Sequence, residues 1–317
     1  MLETSPDTLV YFENDIVPLS QARVPVLTHA FHYGTGVFEG IRGYWSADRD
    51  EMFLVRCEEH YRRWIANCRI LGIDPAKSPR ELVELTAELI RLNHFRADVY
   101  VRPLCYMSTP KIGVKPDGKS SFLIAAIPFG VYLPSEKGIH ACVSSWRRLE
   151  DNAIPSRAKI CGAYVNSVLA TTEAQANGFD EAIFLNESGH VAEGSACNLF
   201  LVRNGALVTP AASENVLEGI TRASVIELAH QELHMDVIER PVDRTELYIA
   251  DEVFLTGTAV EIAPVTRVDH RLVGDGTVGP VARRMREVYA NAVHGRNDRY
   301  AKWLKPVYQH VLATLRH

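Results

Sequence analysis

The residue best placed for covalent chemistry is Lys159, which lies between Ala158 and the pair Ile160 and Cys161, after a Pro-bearing loop. An amine with small or apolar neighbours is poorly hydrated, which favours the free base and lets it attack a carbonyl. A lysine ahead of a helix is also an ordinary surface residue, so Lys159 gains meaning only from its company. Tyr164 and Asn166 follow at the mouth of a helix-forming run that starts at Ala163. Glu193 interrupts an otherwise apolar strand beside Gly194, and a carboxylate there needs a partner because burying an unpaired one is costly. Leu217-Glu-Gly-Ile-Thr-Arg222 opens a helix expected over Ala223–His234. Its Gly219, Ile220 and Thr221 offer backbone N–H groups and a hydroxyl to an anion, with a plain Thr N-cap equally open. Phe254-Leu-Thr-Gly-Thr-Ala259 ends a strand in Thr258 and Ala259, a second loop suited to an anion.

Other elements carry the groups that could select a ligand. Asp98–Met107 alternates like a half-buried strand, which puts Tyr100 and Arg102 on one side. Arg102 is then either a structural ion-pair partner or a carboxylate receptor. The run His29–Arg42 is rich in glycine and aromatics and includes Tyr33, Phe38 and Gly40. Gly34 and Gly36 do not extend to G-x-G-x-x-G, because Glu39 stands where the third glycine would be, so a dinucleotide fingerprint is not expected. His29 and His32 fit structural roles better than a metal site, with no third ligand in view. Helices are expected over Cys57–Leu71, containing Arg62 and Arg63, and over Pro79–Asn93, with leucines at helical spacing. A Gly/Asp hairpin is expected over Val273–Gly279, with an amphipathic helix from Pro280.

The whole chain has ordinary globular composition: 317 residues, 47% hydrophobic, 23% charged, net charge −5. A mildly acidic protein lacks the basic face that nucleic acid requires. No apolar run reaches membrane-spanning length, and the acidic N-terminal stretch does not read as a signal peptide. The six cysteines are scattered with no C-x-x-C pair, so neither a disulfide framework nor zinc is indicated. These features point to a cytoplasmic protein. A domain is expected over 1–133, a linker over 134–138 and a second domain over 139–317.

A masked lysine, a buried carboxylate, a nearby phenol and two hydroxyl/Gly loops are together what pyridoxal phosphate requires. In sequence the chain resembles the class IV (fold-type IV) aminotransferases, most closely those acting on branched-chain amino acids. The motifs HAFHYGTGVFEGIR, VYVRPL, KICGAY, EGSACNLF, LEGITR and TGTA carry the likeness, in that family's order and spacing. The resemblance implies an α/β (α+β) fold with a smaller N-terminal α/β domain and a larger C-terminal domain with a β-barrel-like core. It implies Lys159 as the Schiff-base lysine and general acid/base, Glu193 as partner of the pyridine nitrogen, and Tyr164 on the ring oxygen. The phosphate falls to Arg63, Gly219, Ile220, Thr221 and Thr258. The substrate α-carboxylate falls to Tyr100, Thr258 and Ala259, and the distal carboxylate of glutamate to Arg102, Tyr33 and Tyr132. Phe38, Gly40, Phe129, Ile112 and Val114 line the remaining pocket, with Tyr33 and the Ile112–Val114 loop donated across a homodimer interface. Ser195, Ala196, Cys197 and Ala163 depart from the family's usual residues beside the cofactor without removing a catalytic group. The implied activity is transamination of Leu, Ile and Val with 2-oxoglutarate. An (R)-selective or mixed-specificity amine transaminase, a D-amino-acid aminotransferase and aminodeoxychorismate lyase remain alternatives.

Overall fold

The computed structural model describes residues 5–130, 133 and 136–309. They form two compact units. One gathers the described residues of Met1–Gly130, Ala158–Gly162 and Asn291–His317; the other gathers those of Val131–Arg157 and Ala163–Ala290. The mixed helix-and-sheet class follows the sequence expectation, but the short Lys159 segment groups with the N-terminal unit rather than with the chain that surrounds it.

The first unit is built on an antiparallel sheet in the order Leu304–Pro306, Glu51–Val55, Ile41–Ser46, Val99–Met107, Ser120–Pro128, Leu9–Phe12, Asp15–Pro18, with Gly36–Phe38 also paired to Val99–Met107. Val99–Met107 alternates as expected, with Val99, Val101 and Cys105 buried and Tyr100 and Arg102 on the less buried face. The helix Pro79–Leu92 starts at a reciprocal cap between Ser78 and Glu81 and buries Leu82, Val83, Leu89 and Ile90. The helix Cys57–Ile70 buries His60, Tyr61, Trp64 and Cys68, a stripe at helical spacing that leaves Arg63 beside it.

Backbone contacts explain where the Lys159 segment belongs. The Phe38 N–H donates to the Lys159 carbonyl at 3.0 Å, the Gly162 N–H donates to the Gly34 carbonyl at 3.1 Å, and Ile160 bridges to Val37. Gly34 ends the helix His29–Tyr33 at φ 65°, and a Cβ on it would lie 2.7 Å from the Gly162 Cα. Gly34→Ala is therefore expected to cost about 1–2 kcal/mol for the left-handed backbone alone, and more for the overlap with backbone. A lower urea midpoint at unchanged slope would show it; a midpoint equal to that of wild type would refute the close packing.

The second unit is a mixed sheet in the order Val191–Gly194, Glu181–Leu185, Ile139–Arg147, Glu261–Val268, Glu252–Gly257, Asn198–Arg203, Ala206–Thr209, Val237–Glu239. Ile139–Arg147 runs parallel to both of its neighbours, and the helix Tyr164–Ala176 makes the crossover to Glu181–Leu185. Two expectations are corrected here. The helix expected over Ala223–His234 starts earlier, at Ile220, because Gly219 adopts extended N-cap geometry; it is α-helical to Leu228 and continues as a π-helical turn over Ala229–Leu233, so it ends at His234 as expected. The hairpin expected at Val273–Gly279 instead pairs Glu261–Val268 with Arg271–Leu272, turning at Asp269 and His270, both at positive φ. Asp269 holds that turn by accepting from the Val143 N–H, the Tyr248 hydroxyl and Arg244.

Candidate active site

In the first unit, strand register gathers Lys159, Phe38, Gly40, Tyr100, Arg102 and Phe129. Lys159 is partly exposed between the buried Ala158 and Ile160, and its Nζ lies 5.2 Å from the Phe38 ring centroid. The Arg102 guanidinium stacks on the same ring at 4.5 Å and donates to the Tyr100 hydroxyl at 3.3 Å. Tyr100 in turn packs on Phe129, centroids 5.0 Å apart. Gly40 admits that tyrosine, since a Cβ there would overlap the Tyr100 hydroxyl. The outcome is one aromatic ring that both a guanidinium and an amine approach.

Tyr33 and the 112–114 loop form a separate group. The Tyr33 hydroxyl accepts the Gly113 N–H at 2.8 Å, and His29 bonds Thr35 Oγ1 and the Gly113 carbonyl. Ile112 and Val114 are 63% and 78% exposed, so neither serves as a buried wall within this unit. His32 bonds the Val26 carbonyl. Tyr132 lies outside the described residues.

Arg63 faces a residue the sequence reading passed over. Its Nε and Nη2 form a two-point contact with Glu39, at 2.7 and 2.9 Å. Glu39 is fully buried and also accepts from His60 Nδ1 at 2.8 Å and from the Gly40 N–H at 3.0 Å. Burial pushes the Glu39 carboxyl up, but Arg63, His60 and Lys159 outweigh it and hold the group at about 2. Burial pushes His60 down, offset in part by Glu39, so a neutral imidazole donating from Nδ1 fits the geometry. The signal for Glu39 was available: it is a lone carboxylate in the apolar run Gly36–Ile41, the same feature that singled out Glu193.

In the second unit, Glu193 is 4% exposed and its partners are named by the structure. Arg148 Nη2 lies 2.7 Å from Oε1; Asn198 Nδ2 and the Leu217 N–H donate to Oε2 at 3.0 and 3.1 Å. Arg148 was not legible as a partner, because only the fold returns its loop to Glu193. Asn198 links this carboxylate to the helix Ile220–Leu228: a Cβ on Gly219 would overlap Asn198 Oδ1, so glycine is required where the helix opens. Among the described residues no side chain caps that helix, and Thr221 is buried in its first turn. Thr258 and Ala259 form the turn after Glu252–Gly257, whose Thr256 pairs with Asn198. Tyr164 opens the helix Tyr164–Ala176 and is partly exposed.

These donor sets fit pyridoxal phosphate. One unit has a lysine amine over an aromatic ring and a braced arginine; the other has a buried, ion-paired carboxylate close to a helix N-terminus that no side chain caps, chemistry suited to a protonated ring nitrogen and a phosphate.

Comparison with known proteins gives a consistent result. The Amino-transferase class IV family model matches residues 36–268. A probable branched-chain-amino-acid aminotransferase of Aquifex aeolicus is 49% identical over 309 residues, 97% of this chain and 99% of that protein. The crystal structure of a branched-chain aminotransferase from Thermoproteus uzoniensis with norvaline superposes with a TM-score of 0.91 at 41% identity, covering 95% of this chain and 99% of that one. That of the branched-chain amino acid aminotransferase from Thermobaculum terrenum in its PLP form also gives 0.91, at 39% identity, covering 96% of this chain and 99% of that one.

Proposed function

Because the chain belongs to the class IV aminotransferases, we propose that it transfers the amino group of leucine, isoleucine and valine to 2-oxoglutarate in ping-pong fashion, with pyridoxal phosphate as cofactor. The observation that carries this reading is Arg102 stacked on Phe38 and bonded to Tyr100. A ring face suits an aliphatic side chain, and a guanidinium beside it suits the distal carboxylate of glutamate. One pocket can then serve both half-reactions.

When bound, pyridoxal phosphate supplies the carbonyl carbon that carries the amino group and a ring that takes up electrons from the substrate α-carbon. Lys159 Nζ would anchor it at rest and, as a free amine, would accept the substrate α-proton and deliver it to the carbon that had carried the carbonyl, the shift that amino transfer requires. Glu193, held as one half of an ion pair with Arg148, would keep a proton on the ring nitrogen, and Tyr164 would donate to the ring oxygen. Arg63, the N–H groups of Ile220 and Thr221 following Gly219, and Thr258 would hold the phosphate. Tyr100 and the amides of Thr258 and Ala259 orient the α-carboxylate, while Arg102, Tyr33 and Tyr132 take the distal one. Phe38, Gly40 and Phe129 shape the apolar side. The exposed Phe31, Ile112 and Val114 favour a homodimer in which a second copy covers them. We place the enzyme in the cytoplasm; among the described residues no helix is long and apolar enough to cross a membrane.

Arg102→Ala tests the pocket. Losing a charge-assisted contact of about 1.5–3 kcal/mol is expected to raise the KM for 2-oxoglutarate about 10- to 100-fold, with little change for 4-methyl-2-oxopentanoate. Equal effects on both acceptors would overturn the assignment. A donor panel of L-leucine, D-alanine and (R)-1-phenylethylamine should show activity concentrated on L-leucine; comparable rates with either of the others would move the enzyme to a rival class.

A further inference from the structure

Glu39 has no role in the reaction as set out above, yet its environment is specific. The carboxylate is fully buried between Phe38, whose ring lies under the Lys159 amine, and Gly40, which admits the Tyr100 hydroxyl. It takes Arg63 in a fork from Nε and Nη2, and His60, one turn earlier on the same helix, donates to its Oε2. The Gly40 N–H donates to that same oxygen. A fork of this kind fixes the plane of a guanidinium, which a single contact leaves free to rotate. The contacts from His60 and Gly40 in turn stop the carboxylate from following the arginine. An ion pair buried this completely contributes little net stability relative to apolar packing, so orientation is the effect that remains to account for it.

We propose that Glu39 is a positioning residue that holds the Arg63 guanidinium in the orientation needed to recognise the cofactor's phosphate. The inference rests on the reading that Arg63 meets that phosphate. Because Glu39 also balances the charge of Arg63, recognition depends on directed N–H groups more than on net charge. Removing the carboxylate therefore weakens selection of a phosphate even though it leaves the site more positive.

The test exchanges full-length holoenzyme with mixtures of pyridoxal phosphate and pyridoxal, fixes the bound species to Lys159 with borohydride, and reads the two adducts by intact mass. Wild type should favour the phosphorylated adduct strongly. Glu39→Gln should lower that ratio at least about tenfold, the scale of one lost charge-assisted contact, and Glu39→Asp, with its carboxylate drawn back by one methylene, should fall between the two. A purely structural role would reduce labelling by both aldehydes alike and leave the ratio unchanged, which would overturn the inference; so would a ratio that rises. If Glu39→Gln does not accumulate as folded protein, Glu39→Asp decides: a reduced ratio supports the proposal and a wild-type ratio refutes it. Arg63→Ala separates the two layers. An unchanged ratio there defeats the phosphate reading itself, whereas a collapse in Arg63→Ala without one in Glu39→Gln defeats only the role of Glu39.

Discussion

Replacing Lys159 with alanine is expected to lower kcat by about four orders of magnitude or more, because one amine supplies both covalent anchoring and proton transfer, the latter alone contributing about 10²–10⁴-fold. Stability should hardly change. The contacts that seat the segment, Phe38 N–H to the Lys159 carbonyl and Ile160 to Val37, belong to the backbone and survive loss of the side chain. Borohydride treatment of the holoenzyme should then leave the chain unlabelled, while wild type is labelled at Lys159 alone. A Lys159→Ala enzyme with more than about a hundredth of normal turnover would remove the amine from its assigned role.

Glu193→Gln is expected to lower kcat by about 10²–10³-fold, the scale seen when one preorganised electrostatic partner is withdrawn. The amide keeps the shape but turns a donor toward Arg148 or Asn198, which now donate to the carboxylate. Glu193→Ala goes further. It strands Arg148, whose side chain is only 10% exposed, as a buried charge without its carboxylate, and breaking such a pair costs about 3–5 kcal/mol. Turnover and urea midpoints measured on the two variants separate these effects: the glutamine form should be slow and nearly as stable as wild type, the alanine form slow and clearly less stable. Turnover of the glutamine form within about threefold of wild type would mean that ring-nitrogen protonation does not depend on Glu193.

Much of the secondary structure could be read from local pattern. Val99–Met107 alternates because one face of its sheet is covered, and Pro79–Leu92 is marked by its cap and its leucines. The misplaced hairpin at Asp269–His270 shows the limit of such reading: glycines at 274 and 276 gave the louder turn signal, while contacts from Val143, Tyr248 and Arg244 fix the actual turn. Those partners are remote in the chain, so no window of sequence contains them.

The amino-acid order alone determined which groups could do chemistry: an amine among small neighbours at Lys159, a carboxylate in an apolar strand at Glu193, and a glycine with a hydroxyl opening a helix at Gly219 and Thr221. It determined these because hydration, alternation and capping are local properties. The tertiary structure decided which charges meet. It gave Glu193 to Arg148, gave Arg63 to Glu39 and His60, and seated Ala158–Gly162 against Gly34–Phe38. Those pairings depend on strand register and on segments far apart in the chain, and a buried carboxylate does not announce its cation until the backbone has brought the two together.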